Sequence, residues 1–149
     1  HHYFGGKTRL FLATMTHILT AYGQEVRRAL RQADTPMDRL RGIVAAGFSG
    51  ANFERAVISA WMNFYALALS SPEAHRLLQI YQKRLRTNLC HDLRHLGLDR
   101  DAATRAAHRI AALIDGIYLR EALRQGRPDG ADATATVMRQ IELELKGAA

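Results

Sequence analysis

Residues 53–69 read Phe53-Glu54-Arg55-Ala56-Val57-Ile58-Ser59-Ala60-Trp61-Met62-Asn63-Phe64-Tyr65-Ala66-Leu67-Ala68-Leu69. They do not alternate apolar and polar residues as a half-buried strand would, and the run is long for a strand. Val57, Ile58, Ala60, Trp61, Met62, Phe64, Tyr65, Leu67 and Leu69 leave little polar face. A helix that is apolar nearly all round is expected to be buried, so this segment needs other helices around it.

Those helices are readable on both sides. Downstream, Ser71-Pro72-Glu73 opens an amphipathic helix that ends near Leu96-Gly97, with Leu77, Leu78, Tyr81, Leu85, Leu89 and Leu93 inside and Lys83, Arg84, Arg86 and Arg94 largely outside. Asp99 caps a further helix from Arg100 to about Gln125, closed by Gly126. After the turn Arg127-Pro128-Asp129-Gly130, Asp132 is expected to cap a last helix over 133–146. Upstream, Thr35-Pro36 starts a helix carrying Met37, Leu40, Ile43, Val44 and Phe48, ended by Ser49-Gly50. Before it, Leu10, Phe11, Met15, Ile18, Leu19, Tyr22, Val26 and Leu30 recur at helical spacing over about 7–31, with Gly5-Gly6 expected as a loop. The expectation is an all-α bundle of about six helices.

The totals agree. A chain of 149 residues with 48% hydrophobic residues and three prolines suits one compact domain. The net charge of +7 comes from arginines scattered along every helix, which reads as a solvated exterior rather than a nucleic-acid face. Cys90 is the only cysteine, so no intrachain disulfide forms, and its neighbours make it a packing residue. No apolar run is long enough to span a bilayer, and Lys7, Arg9, Thr14 and His17 break the first one, so no membrane partner and a cytoplasmic location are expected.

Catalysis finds no support. Ser59, Ser70, Ser71 and Cys90 lack a recognisable base partner, and no glycine-rich phosphate loop occurs. His91 and His95 stand four apart, a spacing that can hold a metal, but on a basic face that reads as solvated. Neither an enzyme nor a cofactor or metal is expected.

Two clusters point to a ligand instead. Trp61, Phe64 and Tyr65 share one helix face, where core packing is the ordinary explanation. Asp115 is the only charge in Ile110-Ala111-Ala112-Leu113-Ile114-Asp115-Gly116-Ile117-Tyr118-Leu119. An unpaired buried carboxylate is costly, so Asp115 either pairs with an arginine, lies at a subunit surface, or faces a cationic ligand. Gly116 beside it would permit close approach of a helix or ligand, and Tyr118 shares its face.

The opening His1-His2-Tyr3-Phe4-Gly5-Gly6-Lys7 resembles the end of the helix-turn-helix in TetR-family repressors. The stretches 1–15, 60–69 and 111–123 extend the likeness over most of the chain, toward the choline-responsive repressors of glycine betaine synthesis genes. That resemblance implies that residues 1–6 are the remnant of a DNA-binding domain and 7–149 a ligand-binding and dimerisation domain. Tyr3 and Lys7 would contact DNA phosphate in the full-length parent, and operator DNA would be a partner only there. It implies a choline-like quaternary ammonium caged by Trp61, Phe64, Tyr65 and Tyr118 with Asp115 as counter-charge. It also implies a homodimer built on the last two helices, for which Ala103, Ala106, Ala107 and Ala111 with Val137, Ile141 and Leu145 are the expected seam. A neutral or hydrophobic ligand, with Asp115 structural, is the alternative.

Overall fold

The computed structural model describes residues 2–147, with side chains from residue 5 onward. Six helices follow in order: α1 His2–Gln32, α2 Pro36–Gly47, α3 Arg55–Ala68, α4 Pro72–His95, α5 Arg100–Leu123 and α6 Gly130–Gly147. No strand occurs among the described residues.

Local chemistry sets most boundaries. The Thr35 hydroxyl accepts from the Asp38 amide at 3.0 Å, Ser71 from Ala74 at 3.2 Å and Asp99 from Ala102 at 2.8 Å, each satisfying an amide that a helix start leaves free. Two boundaries differ from expectation. α6 begins earlier, because Asp129 rather than Asp132 is its cap and accepts from the Asp132 amide at 3.0 Å. Gly130 then sits directly against the Phe48 carbonyl, where any Cβ would collide. Gly5 and Gly6 form no loop but lie inside α1. No side chain approaches either position, so a helix that satisfies its own backbone continues through them.

α4 and α5 pack on each other most extensively, with α3 against both, and α2 bridges α1, α4 and α6. α1 rests chiefly on α2 and only lightly on α3 and α4. Its crossing with α2 is close: a Cβ on Gly42 would stand 2.9 Å from that of Ala29. Glu25 of α1 also holds the α2–α3 turn, accepting from the Ser49 hydroxyl at 2.9 Å and the Asn52 amide at 3.2 Å. Arg39 of α2 donates to Asp92 of α4 at 2.8 Å, and Asp92 is wholly buried with its second oxygen unpartnered.

α3 is less enclosed than its composition implies. Ile58, Trp61, Phe64 and Ala68 are buried, whereas Ala56, Ser59, Asn63 and Ala66 face outward and Leu69 is 90% exposed. Most of these outward residues are small, so the exposed side carries little apolar area.

The expected dimer seam serves another purpose. Ala103, Ala106, Ala107, Val137 and Ile141 are buried in the protomer's own core, with Ala111 and Leu145 packed against it. They seat α5 and α6 on the rest of the domain. No helix among the described residues is long and apolar enough to cross a membrane.

Candidate functional site

Four helices converge on one aromatic cluster. α3 supplies Trp61 and Tyr65, α5 supplies Asp115 and Tyr118, α4 supplies Tyr81 and α1 supplies Tyr22. Trp61 is its hub, with ring centroids 4.9 Å from Tyr81, 5.9 Å from Tyr65 and 6.3 Å from Tyr118. Tyr22 meets Tyr81 edge-on at 5.7 Å. The Tyr65 hydroxyl donates to Asp115 Oδ1 at 3.0 Å.

Asp115 is partly buried, and none of the ion pairs among the described residues involves it. The arginine that could have neutralised it is therefore not what it meets in this structure. Burial pushes its carboxyl above the ordinary range, and the Tyr65 hydrogen bond opposes that shift. The tyrosines move the same way. Burial, then the Asp115 charge, raises Tyr65; burial, then Tyr22, raises both Tyr81 and Tyr118; burial lifts Tyr22 to about 12. The phenols stay neutral at physiological pH, so an ionised Asp115 would be the one formal charge in this aromatic surround.

The expected ligand residues are thus brought together, with different parts. Trp61, Tyr65, Asp115 and Tyr118 line one region. Phe64 touches Trp61 at 5.8 Å but is completely buried, which makes it a support beneath the cluster. Tyr118 also forms a partition: its hydroxyl donates to the Gly47 carbonyl, and its ring lies 5.2 Å from Phe53 and 5.7 Å from Phe48. Gly116 has open space where a Cβ would stand, so no helix of the protomer uses it for close approach. Lys7 lies exposed on α1, and the side chain of Tyr3 falls outside the described residues.

Sequence reasoning missed Tyr22 and Tyr81. Both occupy ordinary inward positions of amphipathic helices, and only the packing of α1 and α4 against α3 joins them to Trp61. Beside them, a groove of about 710 Å³ runs between α1 and α4, lined among others by Leu19, Tyr22, Val26, Ile80 and Tyr81. The His91 and His95 rings sit 4.5 Å apart on the α4 surface, and no group of three or more potential metal ligands occurs among the described residues.

The arrangement has solved counterparts. A transcriptional regulator from Rhodococcus sp. Rha1 superposes with a TM-score of 0.81 at 19% identity, over 99% of this chain and 77% of that one. A putative transcriptional regulator from Pseudomonas aeruginosa PAO1 gives 0.75 at 21% identity, over 93% and 67%. The fold is that of transcriptional regulators of TetR type. Residues 36–146 match the C-terminal family of BetI-type transcriptional repressors. The HTH-type transcriptional regulator BetI of Brucella canis is 45% identical over 99% of this chain and 74% of its own length, and that of Agrobacterium fabrum 40% over 98% and 70%. The chain belongs to the BetI-type family of transcriptional repressors, a non-enzymatic class.

Proposed function

We propose that this domain senses choline or a related quaternary ammonium compound and, in the full-length parent, uses that binding to release operator DNA at genes for converting choline to glycine betaine. The observation that carries the reading is Asp115: a partly buried carboxylate beside the aromatic cluster, bonded by the Tyr65 hydroxyl and unpaired with any cationic side chain among the described residues. A quaternary ammonium has no N–H to donate, so it is held by aromatic faces and by a fixed negative charge in a poorly hydrated site. Trp61, Tyr65 and Tyr118 supply the faces and Asp115 the charge, with Phe64 beneath them. A ligand shifts the protein only by binding one arrangement of helices better than another.

Trp61 is the only tryptophan, so its fluorescence reports occupancy. Choline and betaine aldehyde should quench it saturably in the wild type and not in Asp115→Asn, whereas the zwitterion glycine betaine should bind more weakly. Quenching by apolar neutral compounds but not by choline would sink the reading.

The homodimer belongs to the same proposal, moved to the outward side of α5. Ala112, Leu119 and Leu123 are exposed there, and Leu143 on α6. A second copy would cover this stripe. Leu119→Glu with Leu123→Glu should turn a dimer into a monomer in sedimentation, and a monomeric wild type at micromolar concentration would refute it. Lys7, Tyr3 and a helix-turn-helix ending at residues 1–6 enter as DNA-side elements of the parent, in a cytoplasmic protein.

A further inference from the structure

The aromatic cluster is too tightly closed to hold the ligand proposed for it. Non-bonded carbon atoms in contact stand about 3.5–4.0 Å apart, so two ring faces with a group between them need at least roughly 7 Å. Trp61 is 4.9 Å from Tyr81, 5.9 Å from Tyr65 and 6.3 Å from Tyr118. One ring has to leave before a trimethylammonium head can enter.

The surroundings single out which. Trp61 is buried and wedged against Phe64, Tyr65 and Tyr118. Tyr118 is fastened to the Gly47 carbonyl and pressed on Phe48 and Phe53. Tyr65 is tied to Asp115. Tyr81 alone has open volume on its other side, because it also lines the 710 Å³ groove between α1 and α4. What holds it in place is Tyr22, which lines the same groove and meets it edge-on at 5.7 Å.

We propose that Tyr81 is the movable wall and entrance of the ligand site: it turns from Trp61 into the α1–α4 groove, admits a quaternary ammonium to Asp115, and closes on it as a further aromatic face, while Tyr22 latches the empty position. The inference rests on the choline reading and adds to it two specificity residues and a route of entry. The groove's apolar residues Leu19, Val26 and Ile80 receive the displaced ring; Arg27, Lys83 and Arg84 also line the groove, so the cation enters past them only with Tyr81 open onto Asp115.

The test uses the full chain, stopped-flow Trp61 fluorescence, and choline and tetramethylammonium as probes. Tyr22→Leu removes the edge-on ring contact that latches the empty position. It should therefore speed association roughly fivefold, the order of one aromatic pair's contribution, while the ring at 81 preserves the bound state. Tyr81→Leu removes the face and should weaken both probes about tenfold. Thermal unfolding of each variant checks that it is folded, and Tyr22→Leu carries the test if Tyr81→Leu is not. If the wild type binds both probes but both variants keep its rate and affinity within twofold, Tyr81 is no entrance and the choline reading stands without it. If the wild type binds neither probe, both fall.

Discussion

Two carboxylates, Asp92 and Asp115, are treated in opposite ways, the first wholly buried and the second partly. Asp92 is wholly enclosed between α2 and α4, and Arg39 reaches it at 2.8 Å. Asp115 lies on α5 among aromatic rings and receives a phenol hydroxyl instead of a cation. The first is paired within the fold, one of its oxygens held by Arg39 as a brace between helices. The second is left short of a positive charge, and burial raises its proton affinity accordingly. A carboxylate that the protein itself pairs is architecture; one left without a cation beside aromatic rings is, on the proposed function, the place for a charge from outside.

The sharpest way to break this comparison is to remove the internal cation. Arg39→Ala strands Asp92 in the core and should cost about 3–5 kcal/mol in chemical denaturation. Asp115 has no such partner to lose, and its neutralisation should act in the reverse sense. Asp115→Asn keeps an acceptor for Tyr65 and should stabilise the ligand-free domain by about 1 kcal/mol, or roughly 2–4 °C in Tm. The same substitution should weaken choline binding at least tenfold by fluorescence titration, roughly the worth of a charge-assisted contact in a poorly hydrated site.

The pH dependence follows from the direction of the Asp115 shift. A carboxyl whose folded pKa is raised stabilises the fold below its unfolded pKa and loses that contribution as pH rises through the folded value. The stability advantage of Asp115→Asn should hence be full above the folded pKa, shrink on acidification through it and vanish below the unfolded one. Choline affinity should fall over that same window, at higher pH than an ordinary carboxylate would dictate; flat affinity down to pH 4 would remove Asp115 from the site. The smallest effect is reserved for Tyr65→Phe, which deletes one hydrogen bond and should destabilise the domain by about 1 kcal/mol while moving the choline pH profile further upward.

The two aspartates also mark what can be read from residues alone. Asp115 is legible because it interrupts an apolar run, where a lone charge demands an explanation. Asp92 is hidden among His91, Arg94 and His95, so a buried charge looks like one more solvated residue. Helix starts were readable wherever a cap preceded proline, as at Thr35-Pro36 and Ser71-Pro72. Where two aspartates three apart could both cap, at 129 and 132, local chemistry could not choose. Trp61 and Tyr65 share a face by spacing, but nothing local brings Tyr22 and Tyr81 to them across separate helices. The seam assigned to a second subunit failed for a related reason. Small residues and a regular apolar row describe a close contact without saying whether its other side is the same chain.

The close crossing of Gly42 and Ala29 has a mechanical side. α1 has 31 residues, and the contact lies near its C-terminal end. Lys7 is thus about 33 Å from that point along a continuous helix at 1.5 Å per residue. Because α1 rests only lightly on α3 and α4, a tilt at the crossing would make the crossing a fulcrum and α1 a lever arm. A tilt of about 5° there sweeps the far end through roughly 3 Å. A rearrangement scarcely felt where the helices cross would arrive at the other end of α1 as a displacement close to one base step along a DNA strand, about 3.4 Å.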